Sequence, residues 1–266
     1  MSKYVIEGGH QGKERLKLLS EVLLPTSSQL LKKAGLAEGM KCLDVGCGGG
    51  FVTALMSDMV GPSGQVVGID ADEEILNLAR ADAESMGRLN VEYSKFDASQ
   101  RHRQDYYDLV YAHFLLTHVP APQSCLESMI SSSKRGGRVV VEDIDFTGNF
   151  SYPKCHAYQR YTELYQEVVK LRGGDANIGP KLTEMFRTAG LRNVQVNLIQ
   201  PVHFEGQGKL LAAITMQRIA SSVIAEKLAT EAEIDEVIAG LNAAAEDKDV
   251  LLSAPRIFQV CGNQSS

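Results

Sequence analysis

A glycine-rich turn after the first predicted strand constrains the fold of this chain more than any other feature. The short apolar run Lys41–Val45 is typical of a buried strand, and the sequence Asp44-x-Gly46-x-Gly48-x-Gly50 leads from it into a helical pattern. Glycine lets the backbone turn sharply and approach a ligand closely, because it has no Cβ atom. The free N–H groups of the helix that follows suit an anionic group, either a phosphate or an amino-acid carboxylate.

Strands and helices alternate beyond this turn. Helices that separate successive strands imply right-handed crossovers and a parallel sheet covered on both faces. We therefore predict an α/β fold with a doubly wound, mostly parallel, Rossmann-like sheet of seven strands and an antiparallel last strand. The six further strands are predicted at residues 65–69, 90–93, 107–112, 138–142, 193–199 and 256–260.

Helical segments outside the sheet complete the predicted organisation. Residues 13–24 have helical periodicity, Pro25 interrupts it, and a second short helix is expected to end at Gly35. The sequence Thr230-x-x-Glu233 is a capping box within a helical insertion before the last strand. The domains are predicted as an N-terminal helical segment (1–38), a core (39–204 and 254–263) and a helical cap (205–253). The apolar stripe of the cap would suit a homodimer contact.

The charge and composition favour a small-molecule partner. The net charge is -6 and basic residues are scattered, which argues against a nucleic-acid substrate. No apolar run approaches membrane-spanning length and no signal peptide is evident, so a cytoplasmic protein without membrane association is expected. The five cysteines form no metal-binding spacing.

The spacing of the glycines distinguishes between two classes of ligand. In a nicotinamide dinucleotide fingerprint the third glycine would fall on Phe51 or Thr53, so neither register fits. A carboxylate at Asp44 would repel a pyrophosphate but attract an ammonium or sulfonium group. A nucleotide-dependent oxidoreductase is therefore the less favoured alternative.

Two further acidic residues follow predicted strands. Asp70 ends the second strand, where a carboxylate can accept hydrogen bonds from both hydroxyls of a ribose, or can cap the next helix. Asp97 follows the third strand, where it could meet an adenine amino group or belong to a polar loop.

These residues together resemble the class I S-adenosylmethionine-dependent methyltransferases. The resemblance implies S-adenosylmethionine as cofactor and a small-molecule methyl acceptor. It also suggests that the N-terminal segment folds over the cofactor, where Tyr4 and His10 are candidate pocket residues, unless this terminus is frayed. The implied cofactor-binding residues are Asp44 beside the amino group, Gly46, Cys47, Gly48 and Gly50 in the turn that faces the methionine portion, Asp70 at the ribose, Ala71 at the adenine face, Asp97 and Ala98 at the adenine edge, and Tyr111 and Ala112 at the methionine pocket.

Methyl transfer from a sulfonium is an in-line displacement, so the protein mainly orients the reactants and excludes water. The family has no universal catalytic residue, and the candidates are His113, Asp143 and Tyr152. No metal is expected, because the fourth strand does not end in the carboxylate that metal-dependent catechol methyltransferases have. A protein of this fold that binds the cofactor without methyl transfer is the other alternative.

One predicted helix carries three tyrosines at helical spacing: Tyr158, Tyr161 and Tyr165. They are expected either to form a core stripe or to line a substrate pocket.

Overall fold

In the computed structural model, residues 9–265 are described, with side chains from Lys17 onward, and they form ten strands and eight α-helices. The strands are β1 Lys41–Val45, β2 Gln65–Asp70, β3 Val91–Lys95, β4 Tyr107–His113, β5 Ser133–Asp145, β6 Ser151–Tyr152, β7 Arg192–Ile199, β8 Val202–His203, β9 Leu251–Ser253 and β10 Arg256–Asn263. The helices are α1 Gly9–Lys33, α2 Phe51–Val60, α3 Glu73–Ser85, α4 Pro122–Ser132, α5 His156–Leu171, α6 Leu182–Thr188, α7 Leu211–Ala225 and α8 Glu231–Glu246.

Seven strands form the main sheet in the order β3-β2-β1-β4-β5-β10-β7. The first five strands in chain order pair in parallel, whereas β10 lies antiparallel between β5 and β7. The predicted doubly wound sheet and its antiparallel last strand are confirmed. The carboxyl ends of β1, β2 and β4 therefore meet at one edge, where an open α/β sheet binds ligands.

Alternation along β1 explains why the sheet is buried on both faces. Leu43 and Val45 join one apolar cluster, while Cys42 joins another on the opposite face. Cys42 and Cys261 are both buried, as expected for cysteines that pack in the core.

The predicted break at Pro25 is wrong, because α1 continues through this residue from Gly9 to Lys33. Proline removes one backbone donor from a helix. Leucines on both sides of it are buried, among them Leu23 and Leu31. Their burial on one continuous helix outweighs the lost hydrogen bond, and Thr26 Oγ1 donates to Leu23 O at 2.8 Å within the same turn.

The cap, predicted at residues 205–253, comprises α7 and α8 together with a small three-stranded sheet of order β6-β9-β8, two strands of which lie outside the predicted range. One half of the predicted capping box is present, since Thr230 Oγ1 accepts a hydrogen bond from the Glu233 N–H at 3.2 Å, whereas Glu233 Oε1 accepts from Arg160 Nε at 2.8 Å. The small sheet was not predicted. Two of its strands have only two residues, too few to show an alternating pattern. Nowhere in residues 9–265 is a helix both long and apolar enough to cross a membrane.

Candidate cofactor and acceptor site

The glycine turn after β1 is held against the end of β2. The N–H groups of Gly46 and Cys47 both donate to Ile69 O, at 2.8 and 3.0 Å. Gly46 and Gly48 have φ angles of 71° and 51°, in the left-handed region that favours glycine. A Cβ atom at Gly46 would lie 2.8 Å from Leu115 Cδ1, so a larger residue here would have to displace the Leu115 side chain.

Gly50 meets a different neighbour. It precedes α2 with a φ of 77°, and a Cβ atom here would lie 2.2 Å from Tyr93 Oη. The structure therefore packs this glycine against the β3 side chain. Gly50 lines neither of the two cavities that Gly46 and Gly48 line, and it borders a separate cavity beside α2 instead.

Gly46 and Gly48 line two adjoining cavities. The smaller has an empty volume of about 500 Å³ and the larger about 1180 Å³, each including the space at its open mouth. Both are lined by Leu19, Gly46, Gly48 and His113. The turn and His113 thus stand where the two spaces adjoin, and α1 covers this junction through Leu19.

Asp44 lies on the wall of the smaller cavity and is almost completely buried. Thr53 Oγ1 donates to Asp44 Oδ2 at 2.6 Å. Burial raises the pKa of Asp44 to about 7, although the hydrogen bond from Thr53 opposes this shift. A cation that enters the smaller cavity would favour the ionised carboxylate.

Asp70 organises the outer side of the turn. Its Oδ2 accepts from the Gly48 N–H at 2.9 Å, and its Oδ1 accepts from the Asp72 N–H at 3.0 Å. Asp72, not Asp70, caps α3 through its own side chain. Burial raises the pKa of Asp70 above its ordinary value, and these hydrogen bonds oppose the rise.

Residues 36–190 match the family model described as a methyltransferase domain, which is more than half of the chain. The chain belongs to the class I S-adenosylmethionine-dependent methyltransferases. The predicted family, and with it the predicted cofactor, are confirmed.

Curated and solved relatives of this methyltransferase agree with the assignment. A demethylmenaquinone methyltransferase of Lactococcus lactis is 30% identical over 139 residues, which are 52% of this chain and 53% of that protein. A ubiquinone/menaquinone biosynthesis C-methyltransferase of Vibrio vulnificus is 29% identical over 175 residues, 65% of this chain and 66% of that protein. The chain therefore spans about half to two thirds of the length of these relatives. A crystal structure of a SAM-dependent methyltransferase from Aquifex aeolicus superposes with a TM-score of 0.50 at 25% identity, covering 64% of this chain and 81% of that one.

The described residues of the methyltransferase fit the cofactor. The Asp44 carboxylate can pair with the cofactor ammonium in the smaller cavity, which Cys47 also lines. Asp70 accepts two hydrogen bonds from the backbone. A carboxylate has about four acceptor sites, so two ribose hydroxyls can still donate to it.

The residues implied at the adenine lie at the surface. Ala71 and Asp97 are exposed, and Ala98 is half-buried. Asp97 Oδ1 accepts from the Ser99 N–H at 2.9 Å and from Ser99 Oγ at 2.8 Å, so its carboxylate closes its own turn. These hydrogen bonds lower the pKa of Asp97. Tyr4 lies outside the described residues, and so does the side chain of His10.

Tyr111 and Ala112 were expected as a pocket wall, but their side chains line neither cavity. Both are fully buried, in apolar clusters on opposite faces of the sheet. Tyr111 Oη donates to Glu142 Oε1 at 2.6 Å. The next residue, His113, is the one from β4 that reaches both cavities.

Asp143 and Tyr152, two of the three catalytic candidates, line neither cavity. Tyr152 is 75% exposed. Asp143 is fully buried and accepts hydrogen bonds from Thr117 Oγ1 at 2.6 Å and from the Thr117 N–H at 3.1 Å. Asp143 thereby holds the 3-10 turn Leu116–His118, whose last residue lines the larger cavity.

The three tyrosines of α5 form the predicted core stripe and also line a cavity, whose role as a substrate pocket stays a prediction. Tyr158, Tyr161 and Tyr165 are buried in the largest apolar cluster and also line the larger cavity. The Tyr165 ring stacks on Phe146 with centroids 4.0 Å apart. This wall is aromatic and apolar.

Several lining residues of the larger cavity were not predicted. Asn149 lies in the turn before β6, and His203 ends β8. Lys209 lies in the short turn before α7. These segments are short and irregular, so they carry no periodic signal. Asn149 and His203 are 54 residues apart and meet only through the fold.

Proposed function

We propose that this protein transfers a methyl group from S-adenosylmethionine to a small, largely apolar aromatic acceptor by in-line displacement. One observation carries the proposal. The smaller cavity at the glycine turn, which the Asp44 side chain lines, adjoins a larger and more apolar cavity at Gly46, Gly48 and His113. A methionine portion in the first cavity would direct its methyl group toward an acceptor in the second.

The lining of the larger cavity favours an uncharged aromatic acceptor. Within the described part of the chain, this lining contains no Asp or Glu side chain, and the Lys209 ammonium on it already donates a hydrogen bond to Asp247 O. A cationic amine would therefore enter without a carboxylate to balance its charge. The aromatic rings of Tyr158, Tyr161 and Tyr165 offer stacking and edge contacts to a ring instead.

The relatives suggest which aromatic acceptor to test first. The two curated relatives are named for steps on menaquinone or ubiquinone precursors. We extend this to a quinol-type acceptor, a ring with hydroxyl substituents. Such a ring matches an apolar cavity that also has polar side chains such as His118, His203 and Asn149 on its wall.

The residues of this chain would act mainly by orientation. When bound, S-adenosylmethionine supplies a methyl group on a sulfonium, which is already an excellent leaving group. The glycine turn holds the methionine portion, and α1 with the cap encloses the acceptor and excludes water. Asp143 fixes the Thr117 segment, which places His118 on the acceptor side. His113, at the junction, is the candidate to accept a proton from an acceptor that must lose one.

Turnover with a trideuteromethyl form of S-adenosylmethionine tests this function. The full chain is incubated with 1,4-dihydroxynaphthalene under reducing conditions, and with sarcosine as a zwitterionic comparison that has an ammonium group. We expect one trideuteromethyl group in the naphthalene product by mass spectrometry and none in sarcosine. Tight binding of S-adenosylhomocysteine without methylation of any aromatic hydroxyl compound would favour the non-transferring alternative. Binding of NADH in its place would favour the oxidoreductase.

A further inference from the structure

The cap forms part of the wall of the larger cavity. Polar side-chain atoms on this part of the wall are buried without a hydrogen-bond partner among the described residues. His203 Nε2 and Asn149 Oδ1 are both buried, and neither atom has a hydrogen-bond partner within the described residues. The Asn149 side chain does form a hydrogen bond with Tyr158, which opposes the rise in the pKa of Tyr158 caused by burial. Both side chains line the larger cavity. Buried polar atoms are nearly always hydrogen-bonded in folded proteins, so two such atoms on one cavity wall call for an explanation.

The fold brings these two residues to the same small sheet. His203 ends β8 and pairs with Leu252 of β9. Asn149 precedes Phe150, whose N–H donates to Ser253 Oγ at 2.8 Å on the other side of the same strand. The two polar groups therefore flank β9, on the part of the wall that the cap contributes.

The orientation of His203 is restricted by its neighbour Gly208. A Cβ atom at Gly208 would lie 2.3 Å from His203 Nδ1, so the ring packs directly on the glycine backbone. Burial lowers the pKa of His203, which keeps the imidazole neutral at neutral pH. A neutral imidazole can exchange a hydrogen bond with an uncharged hydroxyl or carbonyl oxygen.

We propose that His203 and Asn149 form the specificity subsite for the acceptor and bind its hydroxyl substituents by hydrogen bonds. Asn149 Oδ1 accepts from a hydroxyl group, and His203 Nε2 exchanges a hydrogen bond with a second oxygen. The aromatic body of the acceptor lies against the tyrosines of α5. This inference rests on the proposed function, because it assumes that the larger cavity holds the acceptor.

The test compares two probes of the same ring size in the full chain loaded with S-adenosylhomocysteine. The probes are 1,5-dihydroxynaphthalene, which has two hydroxyl groups, and naphthalene, which has none. A site built to hydrogen-bond a ligand rejects the analogue that lacks the partner group. We expect the wild-type protein to bind the dihydroxy compound at least about tenfold more tightly than naphthalene by calorimetry.

Variants assign this preference to the two residues. In His203→Phe and in Asn149→Leu the preference should fall several-fold, and in the double variant it should vanish. Naphthalene affinity should be kept. His203→Gln retains a hydrogen-bonding group and should restore part of the preference, and it also covers the case in which the phenylalanine variant does not fold. The matched control is His156→Phe, which changes an exposed histidine outside the cavity lining.

The outcomes separate this inference from the function on which it rests. Loss of S-adenosylhomocysteine binding by the wild-type protein would contradict the proposed function itself. If S-adenosylhomocysteine binds normally but the wild-type protein shows no preference for the dihydroxy probe, or does not bind it, the subsite alone is overturned. An unchanged preference in the double variant also overturns it.

Discussion

The Gly48 N–H donates a hydrogen bond of 2.9 Å to Asp70 Oδ2 and so joins the turn after β1 to the end of β2. The other oxygen of the same carboxylate accepts from the Asp72 N–H at 3.0 Å, at the start of α3. Asp70 therefore shapes the cofactor site through the backbone in addition to its implied contact with the ribose. Hydrogen bonds within the protein therefore fix the conformation of the turn independently of any ligand.

Replacing Asp70 by alanine should weaken S-adenosylhomocysteine binding by about 1–3 kcal/mol, because ribose hydroxyls and the Gly48 N–H would lose a partner. Asp70→Asn keeps one acceptor oxygen and should lose less. Isothermal titration calorimetry measures both, with Glu74→Ala on the exposed first turn of α3 as the control. Unchanged affinity in Asp70→Ala would remove this side chain from the site.

Cofactor binding should strengthen as the pH rises, because Asp44 has a pKa of about 7 and must be ionised to pair with an ammonium group. The ionised fraction of a group with this pKa increases roughly twentyfold between pH 5.5 and 7.5. The affinity for S-adenosylhomocysteine should rise accordingly over this interval. In Asp44→Asn the titration curve should be much flatter, and an equally steep curve would show that another group is responsible.

Two glycines with similar backbone conformations should differ in their tolerance of alanine. Gly50 has a φ of 77° and lacks space for a Cβ atom beside Tyr93, whereas Gly87 has a φ of 65° and no atom within 4 Å of that position. In both variants the alanine must adopt the left-handed backbone conformation, which lowers the free energy of unfolding by about 1–2 kcal/mol. Gly50→Ala should lose a further 1–3 kcal/mol, roughly the cost of overpacking. Urea denaturation that gives equal losses would contradict the close contact with Tyr93.

The buried Asp143 should make the free energy of unfolding depend on pH. Burial raises its pKa from 3.8 to about 6 in the folded state. The folded protein thus binds the proton more tightly than the unfolded chain, and this contribution to stability is lost as the pH rises through 6. Between pH 4.5 and 7 the loss is about 2 kcal/mol.

Urea denaturation at these two pH values measures this effect. Asp143→Asn removes the titrating group, so its unfolding free energy should fall less over the same interval than that of the wild-type protein. The absolute stability of the variant is not the test, because the amide also alters the hydrogen bonds to Thr117. Identical pH dependence in the two proteins would contradict the assigned pKa.

The sheet and the cofactor turn were predictable because they depend on local patterns. Apolar runs and helical periodicity define the strands and helices. The positions of Asp44 and Asp70 at strand ends follow from these local patterns and do not depend on tertiary packing. The direction of a side chain at a strand end was harder to predict. Tyr111 is buried in the core, whereas His113, two residues further along β4, lines both cavities.

The acceptor side could not be derived from local patterns. Its wall combines α1, α5 and the cap, which are distant in sequence and meet only through tertiary packing. The continuation of α1 through Pro25 also depends on that packing, because burial on both sides of the proline outweighs its helix-breaking tendency. His203 and Asn149 stand in segments too short to show any period.

A crystal structure with bound S-adenosylhomocysteine would show which cavity holds each part of the cofactor. We expect the homocysteine portion in the smaller cavity, its amino group beside Asp44 and its sulfur at the junction next to His113, facing the larger cavity. A sulfur atom that points away from the larger cavity, or a ligand bound elsewhere while a dinucleotide occupies the glycine turn, would contradict it.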